Sequence, residues 1–64
     1  MKQLKKELKL KGMRYKDLAD AVGVSVMTVH SWVNGSFNPS PKSVKKMLAL
    51  GFSEKACLYP AEET

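Results

Sequence analysis

Few side chains in this sequence could perform catalysis or bind a metal. Among the 64 residues there is one histidine, His30, and one cysteine, Cys57. They cannot supply a nucleophile, a base and an orienting group, nor the three or four protein ligands of a zinc site. The carboxylates form no cluster in the sequence, and so short a chain has little room for a substrate pocket. We therefore expect no enzymatic activity, no metal, no cofactor, no small-molecule substrate and no internal disulfide.

The positive charge is a stronger indication of function. Eleven Lys and Arg against six Asp and Glu give a net charge of +5. Residues 1–16 hold seven of the basic residues and only one acidic residue, Glu7. A small basic domain favours a polyanionic partner, which could be DNA, RNA or an anionic membrane surface. The alternative is a lysine-rich face that only keeps the chain in solution.

Helices must position whatever residues are functional, because the apolar residues recur with helical spacing and no strand pattern is present. Serines precede three of the predicted helices as N-caps, and glycines follow several of them as stop signals. The five predicted helices span about residues 2–11, 15–22, 26–33, 41–50 and 54–58. This pattern predicts a single all-α domain over residues 1–59, followed by a flexible tail over residues 60–64.

Membrane insertion and export are not indicated. The longest apolar runs are far shorter than the roughly 18–20 residues that a membrane span requires. Charges interrupt the apolar residues near the N-terminus, so no signal-peptide stretch follows the first lysines. We expect a cytoplasmic protein.

Residues 15–34 meet the requirements of two helices that cross steeply over a short turn. Ala19 supplies the small residue that close backbone approach requires, and Gly23 tolerates positive φ in the turn. Apolar residues occupy the positions that must face the other helix, namely Leu18, Val22, Val24, Val29 and Trp32. The window resembles the helix-turn-helix of the Cro/CI-type (XRE-like) phage repressor family.

The resemblance extends over about residues 4–58. It includes Trp32-Val33-Asn34-Gly35, Asn38-Pro39-Ser40 and the run from Leu48 to Ser53. Two positions depart from the family pattern: Tyr15 replaces a usual glutamine that contacts phosphate, and Val33 replaces a frequent glutamate. The resemblance implies a compact five-helix, lambda-repressor-like domain whose partner is double-stranded DNA.

The third helix would then enter the major groove and present its N-terminal half to base edges. The base-contacting candidates are Val26, Met27, Thr28 and Ser31. Val26 and Met27 suit thymine methyl groups, the apolar feature of that groove. The alternatives for these two are partial burial against the neighbouring loop or a protein-binding patch. Because Thr28 and Ser31 cannot form bidentate base contacts, DNA shape is expected to add specificity.

Phosphate contacts are implied around the ends of the same motif. The candidates are Tyr15, Ser25, His30, Asn34, Ser36, Asn38 and Lys42. The backbone N–H groups of Ser43 and Val44, at the start of the fourth helix, are also expected to face a phosphate. His30 has the alternative of being simply solvated, and the lysines of the first helix could act only through long-range steering.

A second copy of the chain is the other expected partner, since one such domain buries little surface on DNA. Phe52, Leu58 and Tyr59 are the candidates for the homodimer contact, with closure of the monomer core as the alternative. The expected function is a transcriptional regulator of a pseudo-palindromic operator, associated with the nucleoid of a bacterial cell. The alternative is a small protein-interaction module on the same fold, such as an antitoxin or anti-repressor.

Overall fold

A computed structural model describes every residue from Met1 to Thr64, and it contains five α-helices and no β-strand. The helices are α1 (Gln3–Lys11), α2 (Tyr15–Val22), α3 (Val26–Asn34), α4 (Pro41–Ala49) and α5 (Glu54–Leu58). These bounds agree closely with the predicted ones. The all-α, five-helix prediction is therefore confirmed.

Local side-chain and backbone chemistry accounts for where the helices begin and end. Ser25, Ser40 and Ser53 each accept a hydrogen bond on Oγ from the backbone N–H three residues later, at 3.2, 3.3 and 3.1 Å. Such caps satisfy a donor that the first turn otherwise leaves unpaired. Gly23 and Gly35 follow α2 and α3 with φ of 85° and 82°, in the left-handed region that favours glycine.

One apolar core joins all five helices. Trp32 lies in it with 2% of its surface exposed, as predicted. The other buried members are Leu4, Leu8, Leu18, Ala19, Val22, Val29, Val33, Met47, Phe52, Ala56 and Cys57. Leu48, on the same helix as the buried Met47, is exposed. Val44 and Met47 already occupy the inner face of α4, and Leu48 lies on its flank.

Two features stabilise the crossing of α2 and α3. Ala19 is buried there, so its small side chain permits close approach. From α4, the Lys46 ammonium donates a hydrogen bond to the Val22 carbonyl oxygen at 3.1 Å. That contact satisfies an acceptor at the C-terminal end of α2, where carbonyls lack helical partners.

A carboxylate connects α1 to the start of α5. Glu7 accepts hydrogen bonds from the Ser53 backbone N–H at 2.9 Å and from the Ser53 hydroxyl. The Gln3 side-chain amide donates to the same carboxylate. Burial acts to raise the pKa of Glu7, but these hydrogen bonds outweigh it and leave the pKa below its ordinary value. The ionised form is thus the one that the fold stabilises.

The C-terminal residues differ from the flexible tail that the sequence predicts. Pro60 is fully buried, and its carbonyl accepts the Leu4 N–H at 3.1 Å. Residues 2 and 63 form an antiparallel bridge, reinforced by an ion pair between Lys2 and Glu63 at 3.3 Å. The start of α1 has backbone N–H groups without helical acceptors, and the carbonyls of residues 60 and 62 accept two of them. Residues 60–64 therefore belong to the folded unit.

Candidate nucleic-acid interface

The α3 helix has one buried and one open side. Val29, Trp32 and Val33 hold it in the core. On the other side, Met27 is 75% exposed in the first turn, and Val26 beside it is also exposed. The exposure of Met27 contradicts the alternative of burial against the neighbouring loop. An apolar surface therefore faces outward at the N-terminal end of α3.

The hydroxyl groups near this end already have partners. Ser25 Oγ caps the helix and lies 2.9 Å from the Thr28 hydroxyl, while the Ser31 hydroxyl donates to the Met27 carbonyl at 3.1 Å. A hydroxyl oxygen can accept a further hydrogen bond after donating its own. Thr28 and Ser31 are half-buried. The Ser31 hydroxyl has donated its hydrogen to a carbonyl and suits accepting from a base amino group, whereas either Ser25 or Thr28 can be the donor of the hydrogen bond between them.

The ring of Tyr15, at the start of α2, meets His30 of α3 edge-on. The centroids are 4.4 Å apart and the planes make an angle of 77°. Tyr15 is half-buried against the core and His30 is exposed. His30 is therefore not simply solvated, because its ring packs against Tyr15 and so links the exposed face of α3 to α2. No sequence signal indicated this pair.

The loop after α3 is folded back onto that helix. The N–H groups of Ser36 and Phe37 donate to the Ser31 carbonyl at 3.0 and 3.4 Å. Three polar loop candidates, Asn34, Ser36 and Asn38, are exposed. They are thus held at the C-terminal end of α3 with their side chains open to solvent.

The prediction that the Ser43 and Val44 N–H groups at the start of α4 face a phosphate is wrong. The Ser43 N–H donates to Ser40 Oγ and the Val44 N–H to the Ser40 carbonyl, so the N-cap has satisfied both. Pro41 has no N–H to offer. The Lys42 N–H has no acceptor within the chain, and the Lys42 side chain is exposed. Lys42 therefore combines the free amide and a positive charge at this helix end.

Most of the positive charge is unpaired. Among the eleven Lys and Arg, only Lys2 and Lys55 form ion pairs with carboxylates. The unpaired cations include Lys5 and Lys9 on α1, Arg14 just before α2, and Lys42 on α4. Unpaired surface cations are what phosphate binding with counterion release requires.

A family model described as helix-turn-helix matches residues 4–50. The chain belongs to the helix-turn-helix family. This match confirms the resemblance to Cro/CI-type, XRE-like proteins, and the five-helix fold agrees with it. Searches of the curated proteins and of the solved structures found no significant match.

The helix-turn-helix assignment makes this chain a DNA-binding regulator of transcription, in a family that is not enzymatic. No three of its His, Cys, Asp and Glu side chains lie close enough together to hold a metal ion. Cys57 is buried, and burial raises the pKa of its thiol, followed by the charges of Glu7 and Glu54. A thiol with a raised pKa is a poor nucleophile. None of the helices has the length and apolar character that crossing a membrane takes.

Among the three residues predicted to form the dimer contact, Phe52 is not exposed. Phe52 is 3% exposed and lies in the monomer core, where the Lys11 ammonium is 5.1 Å from its ring centroid. Phe52 therefore closes the core of the monomer, which is the alternative that the sequence analysis left open. Leu58 and Tyr59 remain open, with 48% and 61% of their surfaces exposed.

Proposed function

We propose that this helix-turn-helix protein is a Cro/CI-like repressor that inserts α3 into the major groove of a pseudo-palindromic operator. The observation that carries the proposal is the division of α3 into a buried and an open side. The core anchors Trp32, so the helix is presented rigidly, while Met27 stands free in the first turn. Base readout in this motif uses that first part of the second helix.

Base recognition would be largely apolar. Met27 and Val26 offer surface that fits thymine methyl groups, and no Arg, Asn or Gln lies in the first two turns of α3 to form bidentate base contacts. Thr28 and Ser31 would accept hydrogen bonds from base amino groups. Sequence-dependent DNA shape would supply the remaining specificity.

Phosphates would be contacted on both sides of the inserted helix. Asn34, Ser36 and Asn38 would reach the strand near the C-terminal end of α3, with the amide and ammonium of Lys42 beside them. Tyr15, Ser25 and His30 would meet the backbone at the other end. These polar contacts set the register of the protein on the duplex and carry no base information themselves.

The repressor would act as a homodimer through Leu58 and Tyr59. Both lie at the end of α5 and are exposed, whereas Phe52 is withdrawn into the core. A two-fold dimer would double the DNA contacts of a small domain and would require a palindromic site. Its place of action would be the nucleoid in the bacterial cytoplasm.

Selection of bound sequences from random duplex DNA tests this function. We expect the purified protein to enrich a two-fold-symmetric consensus, and the Met27→Ala variant to lose preference at one position of each half-site. Leu10→Ala is the matched control, because Leu10 is an equally exposed apolar residue on α1, and it should select the parental consensus. Absence of any enrichment would contradict operator binding and favour a protein-interaction module.

A further inference from the structure

A groove outside the proposed base-reading surface has the composition of a ligand site. It lies along α1 and the segment that leads into α2, and its volume is about 520 Å³. Its apolar lining consists of Met1, Leu8, Met13 and Tyr15. Pockets for small molecules have this size range and are lined mainly by apolar side chains with a few polar groups.

The polar lining residues of this groove all carry the same charge. They are Lys5, Lys9 and Arg14, and none of their side chains forms an ion pair with a carboxylate. The nearby Asp17 carboxylate accepts the Arg14 backbone N–H at 2.9 Å, which commits it to capping α2. An occupant therefore meets apolar contacts in the groove and, around it, three cationic side chains that form no ion pair.

We propose that the groove binds a small amphipathic organic anion, with an aliphatic or aromatic body and a single carboxylate head. The apolar lining would cover the body, and Lys5, Lys9 and Arg14 would together attract the head. A DNA phosphate fits less well, because it would leave the apolar lining without a partner. The groove lies outside the base-reading residues of α3, although Tyr15, a proposed phosphate contact, forms part of its lining.

The groove is physically connected to α3 through Tyr15. This ring lines the groove and also touches His30 edge-on. A bound anion would change the surroundings of the Tyr15 ring and thereby those of His30. The imidazole protons of His30 are a specific reporter, since the chain has one histidine.

Titration with decanoate, well below its micelle-forming concentration, tests the site by NMR on the free protein. We expect saturable shifts of the amides of residues 5–15 and of the His30 ring protons. Acetate, which lacks the apolar body, and decyltrimethylammonium, which has the opposite charge, should not reproduce them. Lys5→Gln and Lys9→Gln should each weaken decanoate binding about two- to fivefold, the range of one exposed charge pair.

Lys6→Gln is the matched control, because it removes the same charge from the same helix at a position outside the groove. It should leave decanoate affinity unchanged. Three outcomes overturn the proposal: no saturable shift, equal binding of the cationic amphiphile, or equal weakening by Lys6→Gln. Loss of DNA affinity in the Lys5 and Lys9 variants without any decanoate binding would likewise overturn it and assign these cations to DNA.

Discussion

The rings of Tyr15 and His30, which are 15 positions apart in the chain, meet edge to face with their centroids 4.4 Å apart. The pair connects the start of α2 to the outer side of α3. Aromatic pairs of this geometry contribute about 0.5–1.5 kcal/mol beyond the area that they bury. Both residues are also proposed phosphate contacts, so the contact orients the groups that would meet the DNA backbone.

A double-mutant cycle measures this contact. Tyr15→Leu and His30→Ala should be less destabilising together than the sum of the single changes, by about 0.5–1 kcal/mol in the free energy of unfolding. Tyr15→Leu combined with Lys45→Ala should be additive, because Lys45 is exposed on α4. Additivity in both cycles would show that the rings do not stabilise each other.

Trp32→Ala should remove most of the stability of the domain. Truncating a buried aromatic residue costs about 3–5 kcal/mol, close to the whole stability of so small a fold. Phe37→Ala is the control, since Phe37 is 70% exposed, and such a surface change should stay within about 0.5 kcal/mol. Thermal unfolding followed by circular dichroism distinguishes the two, and equal melting temperatures would place Trp32 outside the core.

Glu7→Gln should destabilise the protein at pH 7 by about 1 kcal/mol, because hydrogen bonds to a charged acceptor are lost at a partly exposed site. The folded-state pKa of Glu7 lies below its ordinary value of 4.5. Its contribution is therefore present above pH 4.5 and disappears as the pH falls through the lower folded-state value.

Denaturant unfolding of the parent and of Glu7→Gln, from pH 7 down to pH 2, checks this linkage. The difference between their midpoints should shrink only in the acidic part of the range. Asp20→Asn serves as the control, because the Asp20 side chain is exposed and makes no hydrogen bond or ion pair within the chain. A pH-independent difference for Glu7→Gln would mean that the ionised carboxylate is not what Ser53 stabilises.

Replacing thymine by uracil at single operator positions tests the proposed reading by Val26 and Met27. Uracil lacks the methyl group and keeps the base pairing. Loss of one enclosed methyl should cost about 0.8 kcal/mol, or about fourfold in affinity, at one or two positions per half-site. Met27→Ala should abolish the sensitivity at its own position and leave that of Val26. Tolerance of uracil everywhere would assign both residues to another partner.

Leu58→Gln and Tyr59→Gln should each weaken the proposed dimer in sedimentation equilibrium without unfolding the monomer, since both side chains are exposed. Leu10→Gln should leave the association unchanged, because it removes a comparably exposed apolar residue from α1. Deletion of residues 52–64 is unsuitable as a test, because Phe52, Ala56 and Cys57 belong to the monomer core. If both α5 variants dimerise with the dissociation constant of the parent, the interface lies elsewhere on the protein.

The sequence by itself determined the helices and the motif, because the signals for these are local. A serine cap such as Ser25 acts on a backbone group three residues away. A glycine such as Gly23 ends a helix through its own φ. Helical spacing also sufficed to assign Val29 and Trp32 to the core and Met27 to the outer side.

Only the tertiary structure decided the contacts that depend on how helices cross. Glu7 meets Ser53 across 46 positions, and Lys46 reaches the Val22 carbonyl across 24. Both long side chains are compatible with a solvated surface when only the sequence is considered. Phe52 is similarly ambiguous, because an apolar residue after the last long helix can close its own core or meet a second copy. The choice depends on the space left between α1, α4 and α5, and that space is set by packing over the whole chain rather than by any local pattern.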